Sequence, residues 1–207
     1  MGGRQLRAAA TVGTVSGALM VDWLAANRVD VAAERILDAA EELFTRDDPS
    51  SVGMNDIAKA SGCSRATVYR YFENRDALYT AYVHREAHRV FQELGALDTD
   101  ADSPGQLLVE GIIASLRRVR ESPALSSWFA PNRRPIGGDM AERSEVIHAR
   151  TAAYLAALGV EDAERRARWL VRVMVSLLVF PGRDEDDERA MLEEFVLPTL
   201  SLAQSAD

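Results

Sequence analysis

The sequence predicts an all-α protein of about nine helices, with a small N-terminal three-helix unit ahead of a larger helical body. Three observations predict it. Apolar residues recur at helical spacing along most of the chain, and no strand pattern, repeat or glycine-rich phosphate loop interrupts them. Two Ser-Pro steps, Ser103-Pro104 and Ser122-Pro123, put a capping hydroxyl and a first-turn proline where helices begin. The stretch from Asn55 to Leu78 reads as two short helices, a tight turn and the start of a third.

The elements follow in order. Residues 1–27 carry Arg4 and Arg7 before a mildly apolar run, Ala8 to Val21. Gly13, Thr14, Ser16 and Gly17 break that run, which is too short and polar to span a membrane. The segment is read as a mobile arm, or as an over-long start with Met20 as the true beginning. The first helix is expected from Asp30 to Thr45, with Ile36, Leu37, Ala40, Leu43 and Phe44 as its inner stripe. Asp47 to Ser51 is a loop. Arg75 to Leu94 is a long helix joining the small unit (28–74) to the body (75–207), and Gly95 ends it. Helices over Pro104–Arg120 and Pro123–Phe129 precede a Pro/Gly loop, Ala130 to Gly138, that is mobile by composition. Asp139 is expected to cap a helix ending at Leu158-Gly159. Glu161–Val179 is stopped by Pro181-Gly182, and Asp186–Ala203 is the last helix. The acid run Asp184 to Glu188 sits at a helix start, where acids favour the positive end of the dipole, so it is read as capping rather than as a cation site.

The two short helices carry the chemistry. Ile57 and Ala58 face inward on the first. Gly62 can take the left-handed backbone that the turn Ser61-Gly62-Cys63-Ser64 needs. Ser64 caps the second helix, whose inward face is Val68 and Phe72. Arg65, Thr67, Tyr69, Arg70 and Tyr71 are left outward, with no acid between Arg65 and Phe72. This is a helix-turn-helix, the motif whose second helix enters the DNA major groove. Arg pairs with guanine edges, Thr with a base edge or a thymine methyl, and a Tyr hydroxyl with phosphate. Arg75 stands at the next helix start, which suits a phosphate. The expected DNA contacts are Asn55, Ser64, Arg65, Ala66, Thr67, Tyr69, Arg70, Tyr71 and Arg75.

The run Thr67 to Leu78, with Ala40 to Phe44 and Asp56 to Ala58 before it, resembles the signature of the TetR family of bacterial transcriptional regulators over roughly Val31 to Tyr82. The resemblance implies a helical, dimeric ligand-binding body behind the helix-turn-helix. Two positions depart from the family pattern. Gly53 stands where Thr or Ser is common and brings no hydroxyl, and Asn55 stands where a basic residue is common. Cys63 replaces a common Val and is read as a small buried hydrophobe.

The net charge of −8 looks wrong for a DNA binder, but its distribution matters more. From Lys59 to Arg89 there are six cations against three acids, whereas residues 91–207 hold thirteen against twenty. The basic face is local. A single cysteine excludes an internal disulfide and any Cys-based zinc site, which fits a cytoplasmic protein.

The last two helices are apolar around more than one face, so each is expected to pack on its own body and on a second copy. The expected partners are a homodimer partner held through these helices, a near-palindromic double-stranded operator, and a small, largely apolar effector; no membrane is expected. Candidate lining residues for the effector are Phe91, Leu94, Ile112, Leu116, Trp128, Phe129, Tyr154, Trp169 and Val173, with Arg150 or Tyr154 as a polar anchor and Trp128-Phe129 beside a plausible lid. His84 and His88 lie one turn apart, but no third ligand is placed by sequence, so no metal and no cofactor are expected. Without a nucleophile elbow, firm metal spacing or cofactor loop, an enzyme is not expected. The function expected is a DNA-binding regulator, a repressor released by ligand; the alternative is a constitutive or architectural DNA-binding factor with no ligand.

Overall fold

The computed structural model describes residues 17–95, 103–130 and 136–200. The chain divides inside its first helix into two units, Met1–Arg35 and Ile36–Asp207. The described part of the first unit is the N-terminal portion of helix α1, Gly17–Arg46. The helix therefore starts well before Asp30. No proline stands between Gly17 and Arg46, and Ala18, Leu19, Met20, Leu24, Ala25 and Ala26 are strong helix formers, so nothing local stops it at Asp30. Of the expected arm, residues 17–27 are helical and residues 1–16 lie outside the described residues.

The second unit continues with α2 (Met54–Ala60), α3 (Arg65–Tyr71), α4 (Arg75–Gly95), α5 (Pro104–Glu121), α6 (Pro123–Ser126), α7 (Ile136–Arg143), α8 (Glu145–Ala157) and α9 (Ala163–Val179). The last stretch is α10 (Glu185–Met191), a π-helical turn (Leu192–Val196) and α11 (Leu197–Leu200), which follow one another without a gap. Counting that stretch as one, the described residues form ten helices and no strand. The expected division at 74/75 falls inside this unit.

Local signals set most helix limits. Ser103 Oγ accepts from the Gln106 N–H (3.2 Å) with Pro104 in the first turn, and Ser122 Oγ accepts from the Leu125 N–H (3.3 Å) ahead of Pro123. Gly159 takes the positive φ (81°) that follows α8. Five expectations are corrected. The loop expected from Ala130 to Gly138 gives way to α7 at Ile136, and its residues 131–135 lie outside the described residues. The helix expected from Asp139 to Leu158 is two, because Ser144 adopts extended backbone and its Oγ accepts from the Ile147 N–H (3.2 Å), capping a new helix mid-run. Asp139 is no cap; it lies in the first turn of α7 and pairs with Arg143. The helix expected to reach Phe129 ends at Ser126 and gives way to turn bonds, from Trp128 N–H to Leu125 O (3.0 Å) and from Phe129 N–H to Ser126 O (3.1 Å). Helix α9 begins after Asp162, whose left-handed φ of 48° is one that Asp tolerates, rather than at Glu161.

Two apolar clusters hold the unit. Near the helix-turn-helix, Ile36, Phe44, Ile57, Val68 and Leu78 are fully buried, with Leu43 only half-buried. In the body, Leu108, Ile112 and Leu116 of α5 meet Leu155, Leu170, Leu192 and Leu200. Among the described residues no helix is long and apolar enough to cross a membrane.

The acid run at α10 does more than cap. Asp184 Oδ1 accepts from the Asp187 N–H (2.8 Å), as capping requires. Glu188, however, is buried and accepts from Arg120 Nη1 (2.7 Å), Arg120 Nη2 (2.6 Å) and the Gly182 N–H (2.9 Å). Burial pushes its carboxyl up, but the hydrogen bonds from Arg120 and Gly182 and the Arg120 charge outweigh it and hold it below the ordinary carboxylate range. A carboxyl held low in the fold stabilises above its unfolded pKa, and that stabilisation is lost as pH falls through the folded value. Glu188→Gln is therefore expected to cost about 2 kcal/mol at neutral pH, a charged hydrogen bond's worth. The gap should begin to close as pH drops below the unfolded value, about 4.3, and be gone only below the lower folded value, which urea unfolding at neutral pH and down through that range checks.

Candidate functional site

The turn between α2 and α3 is built by backbone geometry. Gly62 has φ 66°, the Cys63 N–H reaches Ala58 O (3.0 Å) and the Gly62 N–H reaches Lys59 O (3.3 Å). This pair of bonds ends a helix on a left-handed glycine. At the start of α2, Gly53 has no side chain to offer, and the half of the box that remains is Asp56 Oδ2 accepting the Gly53 N–H (3.0 Å). Cys63 is half-exposed, with Sγ 3.8 Å from Ser61 O, rather than buried as expected.

Ser64 Oγ caps α3 by accepting the Thr67 N–H (3.1 Å) and lies 2.9 Å from Thr67 Oγ1. Val68 and Phe72 turn inward. That leaves Arg65, Ala66, Tyr69 and Arg70 exposed and Thr67 and Tyr71 half-buried. The Arg65 guanidinium lies over the Tyr69 ring (5.3 Å) and that of Arg70 over Tyr71 (5.3 Å). Each cation is thus held at the surface by an aromatic face instead of by an acid.

Helix α4 grips this head at two places. At its start, Arg75 Nη1 donates to Ser50 O (3.0 Å), and Tyr79 Oη lies between the carbonyls of Pro49 and Val52, 2.8 Å from the latter. Burial pushes the Tyr79 phenol up to about 12, so it stays a donor. Two turns on, Arg85 donates to Asp38 Oδ1 (2.8 Å) and Glu41 Oε2 (2.6 Å), and Arg89 to Glu41 Oε2 (3.2 Å). Both arginines also share Glu86 Oε1, at 3.2 Å and 2.7 Å. An aromatic cluster lies alongside: the Phe44 ring meets Tyr79, Tyr82 and Trp128 edge-on at 5.1–5.2 Å.

Below the head, α4 to α9 surround a partly open cavity of about 150 Å³. Val83, Val90 and Phe91 of α4, Val119 of α5, Leu125 of α6, Trp128 and Phe129 just after it, and Val171, Met174, Val175 and Leu178 of α9 make it largely apolar. Gly137 belongs to its wall: a Cβ there would meet the Phe129 ring at 2.8 Å and Trp128 O at 3.0 Å. The polar exceptions are Ser115, Thr151 and Glu86. Glu86 is buried, and burial first and Glu41 second raise its carboxyl above the ordinary range against the pull of Arg89 and Arg85.

A model of the bacterial regulatory proteins of the tetR family matches residues 36–82. An uncharacterized HTH-type transcriptional regulator of Mycobacterium tuberculosis (strain H37Rv) is 58% identical over 188 residues, covering 89% of this chain and 93% of its own length. The chain belongs to the TetR family. The HTH-type transcriptional regulator AlkX of the same organism is 26% identical over 198 residues, covering 89% and 92% of the two chains. Among solved structures, the TetR family repressor AlkX of Dietzia sp., implicated in biodegradation of n-alkanes, superposes with a TM-score of 0.64 at 25% identity, over 83% of this chain and 97% of that one.

In this TetR-family chain the expected DNA-contact residues fall together on α2, α3 and the start of α4, with Asn55 exposed on α2 and Arg75 tied to the Ser50 carbonyl. The residues expected to line an effector site scatter. Phe91, Trp128 and Phe129 line the cavity. Leu94 borders a separate small pocket, Ile112 and Leu116 are buried in the body core, and Val173 packs against that core. Tyr154 donates to Leu107 O (3.2 Å), Trp169 is surface-exposed, and Arg150 contacts His88 Nδ1 and covers the Phe91 ring. Among the described residues no group of His, Cys, Asp and Glu is placed to hold a metal ion. Sequence reasoning missed Tyr79, Arg85 and Glu86. The available signal for Glu86 was its phase: it falls on the same α4 stripe as Tyr79 and Tyr82, where a solvated acid has no place.

Proposed function

We propose that this TetR-family regulator is a homodimeric repressor that binds a near-palindromic operator through α3 and is released by a small, largely apolar effector held in the α4–α9 cavity. The observation that carries the reading is a shared carboxylate. Glu86 lines the cavity, and its Oε1 takes the two arginines that hold Asp38 and Glu41 of α1. A molecule that binds the two arrangements of α4 unequally then shifts the head between them. A cavity, rather than a filled body, also favours a sensor over a constitutive factor. Similarity to AlkX, a repressor implicated in n-alkane biodegradation, fits an apolar effector. For the dimer, Trp169 and Ser176 are exposed on α9, Phe180 just past its end and Phe195 on the last helix stretch; Phe180 is 72% and Phe195 59% exposed. Such a regulator works in the cytoplasm, where its operator is.

The test is a salt-controlled binding titration against the DNA flanking the gene, with unrelated DNA as control. Arg65→Ala is expected to weaken binding to the specific site by about ten- to a hundredfold, as losing one base-edge pair does. Tyr69→Phe should weaken it less, having lost only a phosphate contact. Unchanged affinity in both variants would remove α3 from the interface.

A further inference from the structure

We infer that the cavity's ligand is an uncharged molecule, about the size of a substituted benzene and apolar but for one hydroxyl, whose hydroxyl hydrogen-bonds Glu86 Oε2. This rests on reading the cavity as the effector site. The size follows from the volume: about 150 Å³ is the space that takes a benzene-sized guest. The apolar body follows from walls such as Val83, Phe91, Phe129, Met174 and Leu178. The hydroxyl follows from two groups without partners. Glu86 Oε1 is occupied by Arg85 and Arg89, but Oε2 is buried with no hydrogen-bond partner, and so is the indole nitrogen of Trp128, another residue that lines the cavity. Such atoms bear their full desolvation cost until something satisfies them.

Other polar groups fit less well. A carboxylate or phosphate would face the Glu86 carboxylate and be repelled. An ammonium brings three donors to a wall with one open carboxylate oxygen, leaving donors buried without partners. A hydroxyl both donates and accepts, so it matches an acceptor such as Oε2 and a donor such as the indole N–H. It also suits a carboxyl whose proton affinity burial has raised, since it donates to the ionised form and accepts from the protonated one.

The experiment is calorimetric titration of the full chain with three matched probes: 4-ethylphenol, ethylbenzene and 4-ethylbenzoate. The phenol is expected to bind tighter than the hydrocarbon by on the order of tenfold or more, as a hydrogen bond to a charged group gives, and the benzoate weakest. Glu86→Leu should keep ethylbenzene binding and lose the preference for the phenol. The wild-type comparison decides the matter even if that variant does not fold. Ethylbenzene binding as tight as the phenol, tightest binding by the benzoate, or an undiminished phenol preference in Glu86→Leu would overturn the inference while leaving the effector site standing. If none of the three binds while the DNA titration still finds an operator, the effector site falls, and this inference with it.

Discussion

Phe44→Ala is expected to lower the unfolding free energy by about 3–5 kcal/mol, the range for truncating a fully buried phenylalanine. Phe44 has no exposed surface, and its ring is the one that meets Tyr79, Tyr82 and Trp128 together. The loss therefore combines apolar burial, a cavity among rigid rings and three edge-on contacts. Phe44→Leu, which fills most of the space without the ring edges, should cost clearly less. Because Phe44 lies on α1, Tyr79 and Tyr82 on α4 and Trp128 beside the cavity, the alanine variant should also loosen the grip of the body on the head. Guanidinium unfolding midpoints for both variants check the ordering, and an alanine cost below about 1 kcal/mol would show that the cluster relaxes into the gap.

The second large effect is at Arg85. Arg85→Ala is expected to cost about 3 kcal/mol at neutral pH, toward the lower end for a broken buried pair. Its side chain is 9% exposed and serves Asp38, Glu41 and Glu86, of which only Glu86 is itself almost wholly buried; Arg89 remains to hold Glu41 and Glu86. The pH dependence has a definite sign. The Glu86 carboxyl is already raised in the fold, and removing Arg85 raises it further. A raised carboxyl contributes stability that is full below its unfolded pKa, about 4.3, and is lost as pH rises through the folded value. The deficit of Arg85→Ala should therefore shrink as pH falls from 7 toward about 4.3. Urea unfolding of variant and parent across that range would detect it; a deficit that grows on acidification would mean that Glu86 is not the group left in distress.

How much was legible in the sequence depended on the reach of each interaction. The helix-turn-helix was read residue by residue because its devices act within five residues: Ser64 caps to Thr67, and the turn at Gly62 ends α2 through bonds from the Gly62 N–H to Lys59 and the Cys63 N–H to Ala58. The same holds for the Ser-Pro starts of α5 and α6 and for Asp184 at α10. Ser144 also acts locally, but a serine between Arg143 and Glu145 reads equally well as a solvated helix residue, so the break between α7 and α8 was not visible.

The cavity was a different matter. Apolar period tells which face of a helix turns inward, not whether the space it faces is filled. Ile112 and Leu116 face a filled core while Phe91 and Trp128 face a gap, and all four carry the same signature in the chain. The charges were ambiguous for a related reason. Arg85 and Arg89 look like one solvated face of a helix, yet their partners Asp38 and Glu41 lie more than forty positions away. By itself, then, the sequence determined the all-helical class, the turn and cap chemistry and the cationic, aromatic character of α3, because those follow from backbone preference and near-neighbour bonds. Only the tertiary structure decided where the cavity opens, that Glu86 stands in its wall and that the two arginines it holds tie α4 to α1, because burial and long-range pairing depend on which helices meet.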